Sequence, residues 1–112
     1  MVKTYLGIEF GSTRIKCVQI DEENKIHSSS DYTWKSECKC GIWTYNLDEA
    51  IDGLKKALSG IKNTESIECI GISGMMHGYL AFDKDWNLLV PFRTWQNTIT
   101  AKASQKLTDL FG

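Results

Sequence analysis

Proline is almost absent: Pro91 is the only one in 112 residues. A proline-rich linker is thereby excluded. Long apolar runs are missing too. The longest lies around Tyr79–Phe82, far short of the roughly 20 residues of a membrane-spanning helix. Met1–Phe10 contains Lys3, Gly7 and Glu9 and lacks the apolar centre of a secretory signal. Neither sign of charge is in excess: Lys and Arg number 13, Asp and Glu 14, for a net charge of −1. That balance argues against a nucleic-acid module, which carries a positive surplus. The expected setting is the cytoplasm, with no membrane and no nucleic acid as partner, and Cys17, Cys38, Cys40 and Cys69 as reduced thiols. Cys38 and Cys40 are one residue apart and lack a second Cys/His pair at ligand spacing, unlike a zinc knuckle. The sequence also has no GxxxxGK[ST], no GxGxxG and no HExxH, which removes the commoner nucleotide and zinc devices.

What remains is a globular composition, 42% hydrophobic and 24% charged. It suits one domain or a piece of a larger one. Thr4–Phe10 alternates, with Leu6, Ile8 and Phe10 on one face and Tyr5, Gly7 and Glu9 on the other; period two predicts a strand. Gly11-Ser12-Thr13 breaks it. Arg14–Asp21 and Ile26–Trp34 follow as strands across short polar connections, so a three-stranded antiparallel meander is expected. Lys35–Thr44 reads as a loop. A helix then starts at Asn46, with Glu49 as the second half of a capping-box-like pair. Its apolar stripe is Leu47, Ala50, Ile51, Leu54, Ala57, Leu58 and Ile61, at helical spacing, with Gly60 as the stop. Ile67–Ser73 reads as a buried strand pairing in parallel. Gly78–Phe82 and Leu88–Phe92 read as a second hairpin around Asp83–Asn87, with Pro91 at an edge or strand end. Thr98 or Thr100 is the expected cap of a final helix with the stripe Ala103, Leu107, Leu110 and Phe111. No strand follows that helix, so the chain reads as cut rather than finished.

Chemistry concentrates in Gly7-Ile-Glu9-Phe-Gly11-Ser12-Thr13-Arg14-Ile-Lys16. A carboxylate ends a strand, a glycine turn bears two hydroxyls, and a lysine lies on the next strand. Backbone amides and hydroxyls of Gly11, Ser12 and Thr13 can hold phosphate oxygens, with Lys16 adding charge. Glu9 can hold Mg²⁺ through its waters. The same residues also suit a plain hairpin with a Gly-Ser turn.

This segment resembles the phosphate-1 motif of the actin-like ATPase superfamily, Asp-x-Gly-Thr/Ser-Thr/Ser-x-x-Lys/Arg. Two further segments narrow the resemblance. Ile72-Ser-Gly-Met75-Met76-His77-Gly78 is similar to the Gly-Gln-Met-His-Gly region of xylulokinase-like members of the FGGY carbohydrate kinases. Arg93-Thr-Trp95-Gln96-Asn97-Thr98 is similar to that family's Trp-Asn-Asp or Trp-Gln-Cys segment. The similarity runs from about Tyr5 to the end. It implies an α/β fold of the ribonuclease H-like, actin-like ATPase type: an N-terminal subdomain in the order β-β-β-α-β, with an added hairpin and a C-terminal helix, incomplete in this chain, and residues 1–112 forming the first part of the first kinase domain.

The resemblance implies ATP and Mg²⁺ as cofactors and a sugar or polyol substrate, xylulose-like first. It implies Gly11, Ser12, Thr13 and Lys16 on phosphate, Glu9 on Mg²⁺, and Met76, His77, Gly78, Trp95, Gln96 and Asn97 around the sugar. Histidine and amides offer both donors and acceptors; Trp95 offers a flat apolar wall and Met76 an adaptable one. The family's catalytic base, an Asp, lies beyond residue 112, so this chain is expected to hold no catalytic residue and to be inactive alone. Two positions depart from the pattern: Glu9 stands where Asp is usual, and Asn97 or Thr98 where some relatives have Asp. Two other readings stay open. A non-kinase ATPase or chaperone-like relative explains Glu9–Lys16 equally well, and an interaction module without ligand is the second. The incomplete sheet exposes edge strands, so self-association of this chain is expected.

Overall fold

The computed structural model describes residues 2–76 and 78–112. Two compact units divide the chain: Met1–Lys35 with Asn46–Met76, and Ser36–Tyr45 with His77–Gly112.

In the first unit the expected meander is present. Strands β1 (Thr4–Phe10), β2 (Arg14–Asp21) and β3 (Ile26–Thr33) pair antiparallel. After helix α1 (Leu47–Ser59) and one 3₁₀ turn (Thr64–Ser66), strand β6 (Ile67–Gly74) pairs in parallel with β1. The sheet order is β3-β2-β1-β6. Alternation decides the core: Leu6 and Ile8 from β1 and Ile15 and Cys17 from β2 are buried, because residues two apart share a face. Burial raises the Cys17 thiol pKa, which keeps it protonated and inert.

Asn46 caps α1 as expected, its Oδ1 accepting from Glu49 N–H at 3.2 Å. The buried positions of the helix are Ala50, Gly53 and Ala57, while Ile51 is exposed. The helix comes so close to β3 that a Cβ on Gly53 would stand 2.4 Å from Tyr32 Cδ1, and one on Gly60 2.5 Å from Ser30. Small residues therefore form the packing face. Gly60 stops the helix in the right-handed region, with close approach to Ser30 as its reason for being glycine.

Thr4 and Gln19 are also buried. Gln19 Nε2 donates to Thr4 Oγ1 at 2.9 Å, and its Oε1 accepts from Ser28 Oγ at 2.7 Å. Thr4 Oγ1 and Ser66 Oγ are 2.8 Å apart. This network satisfies its polar atoms at the end of the sheet opposite the Gly11 turn, so burying it carries little penalty.

Three expectations need correction. Lys35–Thr44 is not simply loop: β4 (Glu37–Lys39) and β5 (Ile42–Tyr45) form a hairpin. Its tip is Cys40-Gly41, both at positive φ, 52° and 78°, the backbone that a two-residue hairpin turn demands. A cysteine there hides the usual Asn-Gly signal. Second, β6 is not buried; Ile70 and Ile72 are 56% and 72% exposed, because α1 lies over β2 and β3 instead. Third, the hairpin after Gly78 is ragged. Tyr79 pairs with Arg93 and Phe82 with Leu88 as isolated bridges, and only Phe92–Arg93 forms a strand, β7, beside β5.

Two turns share one build. Asp21 Oδ1 accepts from Glu23 and Lys25 N–H, and Asp83 Oδ1 accepts from Asp85 and Asn87 N–H. Asn24 and Trp86 take positive φ at matching places. Helix α2 (Ala101–Phe111) follows Thr100, whose side chain makes no capping bond, and none of its residues is buried. Among the described residues no helix is long and apolar enough to cross a membrane.

Candidate phosphate turn and sugar pocket

The first unit presents the Gly11 turn. Parallel pairing of β1 with β6 brings Glu9 opposite Ser73 and Phe10 opposite Gly74. The carboxyl ends of two parallel strands thus lie side by side, the place where open α/β sheets bind ligands. Met75 and Met76 leave the sheet at this end, Met76 being 77% exposed. Glu9 stands directly opposite Lys16 across β1 and β2, and both are exposed. Gly11 N–H donates to the Arg14 carbonyl at 2.9 Å and closes the turn. A Cβ on Gly11 would meet Arg14 O at 3.0 Å and Glu9 Oε1 at 3.1 Å. Glycine suits this position because the closing Arg14 carbonyl, a backbone atom, stands so near, with the Glu9 carboxylate folded against the same spot. Ser12 and Thr13 lie exposed at its tip.

The side chains present suit a nucleotide's phosphates: one cation, two hydroxyls and a turn lying within a single hairpin. They suit Mg²⁺ through Glu9 alone, since no cluster of three or more His, Cys, Asp or Glu residues occurs among the described residues. Mg²⁺ accepts such a site because it keeps most of its ligands as water and substrate phosphate. Glu9 carries the carboxylate one methylene further than Asp would.

Sequence reading missed Trp34. It is 2% exposed, its backbone N–H donates to Thr13 O at 3.0 Å and its indole Nε1–H donates to Gly11 O at 2.8 Å. The only signal was its position, one residue past β3 and next to Thr13 by register.

The second unit presents a cavity of about 340 Å³ lined by Tyr79, Arg93, Thr94, Trp95, Asn97 and neighbours. Trp95 is 58% exposed, available as a wall. Asn97 is tied down: its Oδ1 accepts from Trp43 N–H at 2.7 Å, and its Nδ2 donates to Trp43 O at 2.7 Å and Thr94 O at 3.1 Å. Both amide hydrogens are spent, which leaves one Oδ1 lone pair for a ligand. Gln96 Oε1 accepts from Ser36 Oγ at 2.7 Å and Thr94 Oγ1 at 3.3 Å, and neither bond uses its Nε2. Tyr79 and Arg93 are lining residues that sequence reading did not select; Arg93 Nε is buried without a hydrogen-bond partner in the described structure. Gly78 sits against Phe92, where a Cβ would meet the ring at 3.0 Å. His77 lies outside the described residues.

Residues 4–111 match the FGGY family of carbohydrate kinases, N-terminal domain. The chain belongs to that family. Among curated relatives it is 27% identical over 109 residues to a xylulose kinase of Klebsiella pneumoniae, covering 94% of this chain and 23% of the relative. It is also 27% identical over 118 residues to a xylulose kinase of Bacillus subtilis (strain 168), covering 99% of this chain and again 23% of the relative. The solved xylulose kinase of Lactobacillus acidophilus superposes with a TM-score of 0.83 at 21% identity, covering 97% of this chain and 23% of that one. This chain thus spans about a quarter of the length of such FGGY kinases, and its fold is theirs.

Proposed function

We propose that the full-length gene product transfers the γ-phosphate of ATP to a hydroxyl of a ketose or polyol, with a xylulose-like sugar as the first candidate. The observation that carries this reading is the match of residues 4–111 to the carbohydrate kinases, with the Glu9–Lys16 pair flanking the Gly11 turn at the carboxyl ends of β1 and β6 as its phosphate side. Gly11, Ser12, Thr13 and Lys16 hold phosphate, and Glu9 holds Mg²⁺ through water. Mg²⁺ supplies charge neutralisation on the phosphates, the main demand of phosphoryl transfer. Met76, His77, Gly78, Trp95, Gln96 and Asn97 form the sugar side. Trp95 gives the apolar face, Gln96 gives Nε2, and Asn97 acts chiefly by fixing the backbone at Thr94 and Trp43. The base that takes the hydroxyl proton comes from beyond residue 112, so this chain alone is inactive. An ATP-dependent sugar kinase of this kind works in the cytoplasm.

A coupled ADP-release assay on the full-length product, with Mg-ATP and a panel of ketoses, polyols and aldoses, tests the reading. Turnover that appears with one sugar class supports it and names the substrate. ATP hydrolysis indifferent to every sugar moves the protein to the non-kinase ATPases.

A further inference from the structure

We infer that Trp34 is a positioning residue for the phosphate turn, setting the direction of its amides. The inference rests on the kinase reading above and adds a residue that lies outside all three sequence motifs. Its basis is two hydrogen bonds from one side of the turn: Trp34 N–H to Thr13 O at 3.0 Å and Trp34 Nε1–H to Gly11 O at 2.8 Å.

A trans peptide is planar, with its C=O and N–H pointing in opposite directions. Gly11 O belongs to the same peptide plane as Ser12 N–H, and Thr13 O to the same plane as Arg14 N–H. Holding both carbonyls toward Trp34 therefore fixes both amides to point away from it. This matters for an anion. A turn whose peptide plane flips would present a carbonyl lone pair where an amide is needed, replacing attraction by repulsion. Glycine makes such a flip easy at Gly11, since no Cβ opposes it. Trp34 supplies the restraint that glycine cannot, and it does so from a rigid place. Its ring is 2% exposed, and it follows directly on β3, whose Thr33 pairs with Arg14. A buried donor on an ordered strand end is the kind of support that holds a binding group in productive geometry.

The restraint divides labour within the turn. The Gly11 N–H is already used to close it on Arg14 O. Glu9 Oε1 lies 3.1 Å from where a Cβ on Gly11 would stand. Trp34 sets the Gly11–Ser12 and Thr13–Arg14 planes. A metal-side carboxylate, a closing bond and an amide-directing clamp thus converge on four consecutive residues.

The test compares Trp34→Phe, which keeps an aromatic core residue and deletes the indole donor, with a benzothienylalanine replacement at Trp34, which keeps the bicyclic shape and lacks only the N–H. In the full-length product, both variants are expected to raise the Mg-ATP KM or lower kcat at least several-fold, with the sugar KM unchanged and melting within a few degrees of wild type. A 7-azatryptophan replacement, which retains the N–H, is expected to restore wild-type values. Unchanged Mg-ATP parameters in the benzothienylalanine protein overturn the inference, and so does an equal loss with 7-azatryptophan. A wild-type protein that turns over no sugar and binds no Mg-ATP overturns the kinase reading itself and this inference with it. A wild-type protein that is active beside an unaffected variant overturns this inference alone.

Discussion

Glu9 reaches back over its own turn: its Oε1 lies 3.1 Å from the point where a Cβ on Gly11 would stand. The longer carboxylate and the missing side chain fit one another. Gly11→Ala would force the carboxylate, or Arg14 O at 3.0 Å from the same point, to move. Gly11 is not among the residues at positive φ, so crowding rather than backbone strain causes the loss. The expected result is a rise in the Mg-ATP KM, or a fall in kcat, of about tenfold, equivalent to about 1.4 kcal/mol. The sugar KM should hold. Steady-state kinetics with each substrate varied in turn checks this, and a parallel rise in both KM values would show that the turn collapses as a whole.

The order β-β-β-α-β and the Gly11 turn were legible because period-two alternation in Thr4–Phe10 and the motif at Glu9–Lys16 are local signals. Asn46 as a cap was legible for the same reason. Features that depend on distant partners were not. Gln19 reads as a polar residue on a strand, and only the fold supplies Thr4 and Ser28 to satisfy it in the core. Ile51 reads as part of the apolar stripe, yet the tight seat of Gly53 on Tyr32 turns a narrower, small-residue face inward. Trp34 was invisible because it acts through contacts to Gly11 and Thr13 that no spacing rule encodes. Asn97 was visible as an amide, but its commitment to the Trp43 and Thr94 backbone was not.

Helix α1 gives a test in which two principles oppose one another. Alanine in place of a mid-helix glycine ordinarily gains about 1 kcal/mol. At Gly53 the new methyl would sit 2.4 Å from Tyr32 Cδ1 and 3.0 Å from Ile15 Cδ1, and overpacking of this kind costs about 1–3 kcal/mol. With a ring edge that close, the cost should fall in the upper part of that range and win. Gly53→Ala is therefore expected to lower the melting temperature by about 5 °C or more. Adding Tyr32→Ala should remove most of the crowding penalty, a coupling that a double-mutant cycle reads directly. A melting temperature raised by Gly53→Ala alone would mean that the ring moves aside at no cost.

Acid should loosen the two aspartate turns first. The hydrogen bond from His27, 2.8 Å from Asp21 Oδ2, and the amides of Lys25 and Glu23 lower the Asp21 pKa. The backbone amide and side chain of Asn87, and then the amide of Asp85, lower that of Asp83. A carboxyl whose folded pKa is lowered contributes stability above its unfolded value and loses it as pH falls through the folded value. The contribution is thus complete above about pH 4 and disappears below that. Amide exchange at Glu23, Lys25, Asp85 and Asn87 is expected to become less protected, relative to the rest of the sheet, as pH drops below 4. Asp21→Asn should abolish this dependence at Glu23 and Lys25 while leaving it at Asp85 and Asn87. Protection that stays constant through the acid range would remove the carboxylates from the account.

The two edges of the sheet differ, and the difference predicts how isolated chains behave. The β3 edge carries Ser28, Ser29, Ser30 and Asp31, with Arg14 Nη1 3.6 Å from Asp31 Oδ2; polar and charged side chains blunt an edge against pairing. The β6 edge carries a single charge, Glu68, at its start. Its Ile70 and Ile72, 56% and 72% exposed, project on one side of an eight-residue strand, and its far edge has no partner in the four-stranded sheet. Main-chain groups seeking partners beside a water-exposed apolar pair favour addition of another strand. The 112-residue chain is therefore expected to self-associate, with a sedimentation mass that rises above 12.7 kDa as concentration increases. Ile72→Lys should return it toward the monomer, because a charge on this strand opposes both the apolar contact and the approach of a second copy. A monomer at every concentration would show that an open apolar edge alone does not suffice. Association unaffected by Ile72→Lys would place the contact elsewhere, with the exposed Leu107, Leu110 and Phe111 of α2 as the next surface to charge.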